Sequence, residues 1–139
     1  MEEFNFTPVV NRNSIFNKLP IVYMYIGSSG DIQLHLYEGF SNLGFNETMK
    51  VNFMVDYEKR KIFMFTDPSY GQKITKIKEN HFSIKCPTEL KSLNVKPLPP
   101  KKDGKQHSGK YILCEHIKYS KFEGVVIDIN QFEAQETII

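Results

Sequence analysis

Gly30-Asp31-Ile32-Gln33-Leu34-His35-Leu36-Tyr37-Glu38-Gly39-Phe40-Ser41-Asn42-Leu43-Gly44-Phe45 decides how the rest of the chain is read. Ile32, Leu34 and Leu36 alternate with Asp31, Gln33 and His35, the period of a half-buried strand. The spacing then lengthens. Leu36, Phe40 and Leu43 stand four and three apart, as on one face of a helix, and Gly44 ends the run. A short strand therefore passes directly into a short helix. Shifted by 50 residues, the same apolar grammar returns: Ile32 matches Phe82, Leu34 Ile84, Leu36 Cys86, Phe40 Leu90, Leu43 Leu93, and Phe45 Val95. Matches that persist across a change of period point to an internal repeat. In the second copy Pro87 falls at the first helical residue, where its missing N–H costs nothing, and Thr88 to Leu93 carry the helix.

Working outward, each copy is followed by a hairpin. Val51, Phe53 and Val55 alternate, Asp56 to Lys61 form a polar turn, and Ile62 to Phe65 return. The second hairpin runs from Tyr111 to Ile117 and back from Val125 to Ile129, around the polar turn 118–124. Upstream, Pro20 to Ile26 is a β-branched and aromatic strand stopped by Gly27-Ser28-Ser29-Gly30, so residues 1–29 are an arm and a strand, the arm packing through Phe4, Phe6 and Phe16. A further strand is expected over Lys73 to Lys78, around Ile74 and Ile77. Between Val95 and the second hairpin lies an insertion without a counterpart, the Pro- and Lys-rich loop 96–110, and residues 131–139 read as a loose acidic tail. The expected fold is one domain over 1–139, mostly β with short helices (α+β), with strand-helix-hairpin units at 30–67 and 80–130. A unit of about 40 residues cannot bury a core alone. The two units are therefore expected to share one small barrel-like core as a pseudo-dimer.

Composition sets outer bounds on function. With 139 residues, 40% apolar, 24% charged, 11 Phe and 7 Tyr, the chain can close a core without staples. No apolar run approaches the roughly 20 residues of a membrane span, and the start Met1-Glu2-Glu3-Phe4 lacks the features of a signal peptide. A cytoplasmic protein with no membrane partner is expected, with Cys86 and Cys114 as buried thiols. The net charge of +2 conceals a segregation: residues 72–110 hold 10 lysines against 3 acidic groups, net +7, while 1–71 and 111–139 sum to −2 and −3. A basic segment of this kind suits phosphate or an acidic protein. It contains Lys and no Arg, which favours contact with a nucleic-acid backbone over reading of base edges.

Catalytic chemistry finds no footing in the sequence. There is no glycine-rich phosphate loop, no nucleophile elbow and no His pair at helical spacing with an acidic partner. Cys114 and His116 sit two apart on an expected strand and would face one side, with Cys86 or His81 as further ligands. A structural zinc takes four ligands in recognisable pairs, so no metal site and no cofactor are expected, and the protein is not expected to be an enzyme. Tyr23, Tyr25, Phe53, Phe63 and Phe65 alternate along strands and are read as core, with base stacking as the other use of such rings.

The repeated unit resembles the AbrB/MazE swapped-hairpin family, in which a short strand, a helical turn or two and a β-hairpin from each of two copies interlock into one small barrel. The residues that carry the resemblance are Gly30, Ile32 and Leu34, then Leu43-Gly44-Phe45, then the hairpin from Lys50-Val51 to Phe65. In the second unit they are Ser83-Ile84, Pro87, Leu93-Asn94-Val95 and Val125 to Ile129, and the two units cover about two thirds of the chain. The resemblance implies DNA binding through basic residues around the first strand and helix, often directly after the glycine matched by Gly30. Asp31 stands there, and His35 stands near the family's usual Pro. The expected contact therefore moves to the second unit, with Lys85, Lys91, Lys101, Lys102, Lys105 and Lys110 neutralising phosphates.

The expected function is thus a small nucleic-acid-binding (DNA-binding) regulator that uses its Lys-rich second half. The alternative is a phage or mobile-element inhibitor or adaptor whose basic loop docks on an acidic host protein and blocks it, without catalysis. Either would act as a monomer with a pseudo-dimeric core or as a homodimer.

Overall fold

Alternation of β-branched and aromatic residues with polar ones makes the strands, and the apolar member of each pair turns inward. The structure, a computed structural model, describes residues 18–98 and 109–134. In chain order it contains β1 (Ile21–Ile26), β2 (Ile32–Leu36), α1 (Glu38–Ser41), β3 (Lys50–Asp56), β4 (Lys61–Asp67), β5 (Gln72–Lys73), β6 (Thr75–Lys78) and β7 (His81–Lys85). A 3-10 helix (Thr88–Leu93) follows, then β8 (Gly109–Leu113), β9 (Glu115–Tyr119), β10 (Phe122–Asp128) and α2 (Ile129–Glu133). The molecule is mostly β with few short helices, as the alternation implies.

Two antiparallel five-stranded sheets hold these strands, the first in the order β6-β7-β2-β1-β8 and the second in the order β5-β3-β4-β10-β9. Two stretches of chain contribute to both. Residues 72–78 leave the second sheet as β5 and enter the first as β6, turning at buried Ile74, and residues 109–119 cross the other way at buried Cys114. Between the sheets lies one apolar core whose fully buried members include Val22, Met24, Leu34, Leu36, Phe40, Ile62, Met64, Ile112 and Ile127. Burying such side chains is worth about 1.5–3 kcal/mol each, the main source of stability here.

The strand-to-helix change behaves as the apolar spacing implies. Phe40 meets Phe45 edge-on at 5.3 Å between centroids. Gly44, at φ +89°, lets the Phe45 N–H reach back to the Phe40 carbonyl at 3.0 Å, a helix stop that an L side chain at Gly44 would strain. Fifty residues on, Asn94 ends the second helix, also in the left-handed region (φ +51°). Gly30 and Asn80, which precede β2 and β7, share that region too, at +86° and +58°. β2 and β7 themselves pair with Leu34 opposite Ile84 and Leu36 opposite Phe82.

Several elements depart from the sequence expectation. The second helix is 3-10, with Leu90 and Leu93, three apart and both buried, on one face. Pro87 is not its first residue but the extended residue before it (ψ 148°). The single strand expected over 111–117 is two strands in different sheets. The polar turn expected at 118–124 shrinks to Ser120 and Lys121, with Ser120 at φ +57°, so β10 begins at Phe122. In place of a loose tail from residue 131, α2 continues through Glu133, with Ile129 and Phe132 fully buried. The arm 1–17 and residues 135–139 lie outside the described residues.

Candidate nucleic-acid interface

The lysines expected to meet phosphate do not all have free ammonium groups. Lys85 is exposed at the end of β7, opposite Gln33, and Lys91 is half-buried on the 3-10 helix. Lys110 starts β8 with its ammonium donating to the carbonyls of Gln131 (3.1 Å), Phe132 (3.3 Å) and Ala134 (2.8 Å). A cation there satisfies the last carbonyls of α2 and opposes the negative end of the helix. Lys101, Lys102 and Lys105, with most of the loop 96–110, lie outside the described residues. Lys73, Lys78 and Lys96 add exposed ammonium groups on and near β5, β6 and the 3-10 helix. Lys76 is spent on Glu79 (3.0 Å) and Glu47 (3.7 Å).

Beside these lysines, the outer face of the first sheet carries a band of amphipathic rings. Alternation points Tyr23 and Tyr25 of β1, His35 of β2, His81 of β7 and Tyr111 of β8 away from the core, and register brings them together. Tyr23 pairs with both His35 and Tyr111, and its ring centroid lies 4.9 Å from that of Tyr111 and 6.3 Å from that of His35. His35 stacks on Tyr25 at 5.9 Å and His81 on Tyr37 at 5.1 Å. His35 Nδ1 and His81 Nε2 are 2.8 Å apart, so one imidazole donates to the other. Gly109 makes the band possible: a Cβ there would stand 2.4 Å from Cζ of Tyr23.

The polar groups under the band are matched. The Tyr25 hydroxyl donates to Gln33 Oε1 at 2.7 Å, and the Gln33 amide donates to Asp31 Oδ2 at 2.8 Å. Burial, then the Asp31 carboxylate and Tyr23, push the Tyr25 phenol above its ordinary value, so it remains a donor. Asp31 is only 3% exposed. The Ser29 hydroxyl, foremost, holds its carboxyl below the usual carboxylate range, helped by Gln33 and by the nearby Lys85 charge. Asp31, at the position where the resembled family carries phosphate-facing charge, here ties the β1-β2 turn. Burial lowers His35 below its ordinary 6.5.

The remaining candidates separate. Cys114 is buried in the core while the His116 ring is exposed and pairs with Glu123 at 2.9 Å, so the two do not share a side. Both thiols are free, and burial raises Cys86 strongly and pushes Cys114 up to about 12, which disfavours the thiolate that binds metal. Among the described residues no three His, Cys, Asp or Glu side chains gather as a metal site. Phe53 turns toward the core. Phe63 and Phe65 stack at 5.4 Å on the outer face of the second sheet, under Tyr119 and Phe122. There, Met54, Phe63, Ile117, Tyr119 and Val126 line a groove rimmed by Asp56, Lys59, Lys61 and Glu115. No helix among the described residues is long and apolar enough to cross a membrane.

His35, His81, Tyr37 and Tyr111 are the members of the band that sequence reading missed. The matched apolar spacing held the signal: antiparallel pairing of β2 with β7 sets His81 diagonal to His35 and opposite Tyr37. Comparison of the chain with family models, curated proteins and solved structures finds no match.

Proposed function

We propose that this chain is a small nucleic-acid-binding regulator acting inside the cell, built from two tandem AbrB-like units that share one closed barrel. The register of β2 and β7 supports the duplication. Leu34 and Ile84, equivalent under the shift of 50, face each other in an antiparallel pair, as equivalent strands related by a local two-fold axis do. The left-handed residues at 30 and 80 and at 44 and 94 follow the same shift. The crossing segments 72–78 and 109–119 run from one sheet into the other at both ends of the strand order, which supports a barrel.

The observation that carries the nucleic-acid reading is the side of the molecule built by residues 72–98. It holds six lysines and two acidic residues, Glu79 and Glu89, with Lys73, Lys78 and Lys85 exposed. Lys without Arg neutralises phosphate without reading guanine edges, which gives affinity with little sequence preference. The test replaces Lys73, Lys78 and Lys85 together by Gln, and in a second variant Lys101, Lys102 and Lys105. Each triple change should lower affinity for a labelled oligonucleotide and leave the melting temperature nearly unchanged. Unaltered affinity in both variants would sink the assignment of this side.

The groove on the second sheet favours a second reading, an inhibitor or adaptor that binds a host protein. Met54 and Tyr119, 37% and 58% exposed, are the apolar anchors such a contact uses. Met54→Asp with Tyr119→Asp should then abolish the biological effect and leave oligonucleotide affinity intact.

A further inference from the structure

The outer faces of the two sheets differ in chemistry. On the second sheet, Met54, Ile117 and Val126 lie among acidic and basic rim residues. On the first, the rings are Tyr and His, each with a polar atom, and the charged groups on that face among the described residues are Lys78 and Lys85, partners of His81 and Gln33. Of the neighbouring carboxylates, Asp31 is buried and already tied to Ser29 and Gln33, and Glu79 pairs with Lys76. Such a surface offers π-faces for planar rings and cations for a polyanion. Its apolar side chains are Leu113 and Ile21, opposite one another at the end of the β1-β8 pair.

We propose that the outer face of the first sheet binds a single strand of nucleic acid, its unpaired bases stacking against the band around Tyr23 and Tyr111 while Lys78 and Lys85 follow the phosphates. The inference rests on the nucleic-acid reading above and narrows it from any strand to an unpaired one. Tyr111, 40% exposed at the β8 end, is the entry to the band, and neighbouring centroids across β8, β1, β2 and β7 lie 4.9, 6.3 and 5.0 Å apart. Successive rings at such spacing accept successive bases, and every base has a π-face, so the contact tolerates any sequence. A duplex keeps its bases stacked on one another and has none to offer. The lysines at β6 and β7 serve both forms, so charge alone does not discriminate, and the rings do.

The experiment measures anisotropy of a labelled oligodeoxythymidine and of a duplex of equal length at moderate salt, with wild type, Tyr111→Ala and Tyr111→Phe. Tyr111 is exposed, so its replacement should not disturb folding, and the Phe variant keeps the ring. We expect wild type to prefer the single strand, Tyr111→Ala to lose about tenfold in single-strand affinity with duplex affinity unchanged, and Tyr111→Phe to bind as wild type. Because the chain has 7 Tyr and no Trp, quenching of tyrosine emission on binding is a second readout of stacking. Equal affinity for the two forms, with no loss in Tyr111→Ala, would overturn this inference and leave the nucleic-acid reading standing. Absence of binding to either form at low salt would overturn both.

Discussion

At the scale of single residues, the structure reassigns charge that the sequence shows only as a count. Lys110 belongs to the +7 segment, yet its ammonium spans three carbonyls at the end of α2. Lys110→Met should cost about 1 kcal/mol in urea unfolding and leave oligonucleotide affinity nearly intact. An affinity loss without a stability loss would return Lys110 to the contact surface. His35 is the second case. Burial lowers its pKa in the folded protein below the ordinary 6.5, so in the window at and just below 6.5 the unfolded chain holds the proton more readily. Stability then rises with pH through that window, is complete above it, and falls on acidification. Melting temperatures from about pH 8 down to about pH 5 should drop more in wild type than in His35→Gln, and parallel curves would show that His35 carries no such linkage. Neither role was legible in the sequence, because each depends on a partner distant along the chain: α2 for Lys110, and the pairing of β2 with β7 for His35.

At the scale of elements, the local signals were legible and the long-range ones were not. The alternation of Ile32, Leu34 and Leu36, the change of spacing at Phe40 and the stop at Gly44 each depend on a few neighbours, and β2, α1 and the turn after it follow them. The crossing at Cys114 hides inside one continuous strand-forming run, Tyr111 to Ile117. Nothing local distinguishes a strand that stays in one sheet from one that leaves it, and only the partners of β8 and β9 reveal the corner. The helix stops provide a test of the repeat at this scale. Gly44 and Asn94 stand 50 apart and both adopt positive φ. Gly44→Ala should destabilise by about 1 kcal/mol, and Asn94→Gly should be neutral or slightly stabilising, since each change alters how easily the left-handed region is reached. Chemical denaturation reads both. A stabilising Gly44→Ala would contradict this account of the turn.

At the scale of the molecule, the two halves are held together by strand pairs that cross between them. β1 pairs with β8, β2 with β7, β3 with β5 and β4 with β10, so each half lacks four ladders when the other is removed. Residues 1–70 and 71–139 expressed separately should therefore show no cooperative melting alone and recover it on mixing; independent folding of either fragment would refute the shared core. The segregation of charge was legible from the order of residues, and the aromatic band was not, because it forms only when β8, β1, β2 and β7 lie side by side. Two lysines of the basic segment, Lys78 and Lys85, share the outer face of the first sheet with the band, and the proposal that this face binds nucleic acid is the centre of the account. Its most direct test is the wild-type affinity for a labelled single-stranded oligonucleotide, followed by anisotropy from about 50 mM to about 200 mM salt. The account predicts measurable binding at low salt that weakens steeply and linearly on logarithmic axes as salt rises. Binding that is absent at low salt, or that ignores salt, would contradict it.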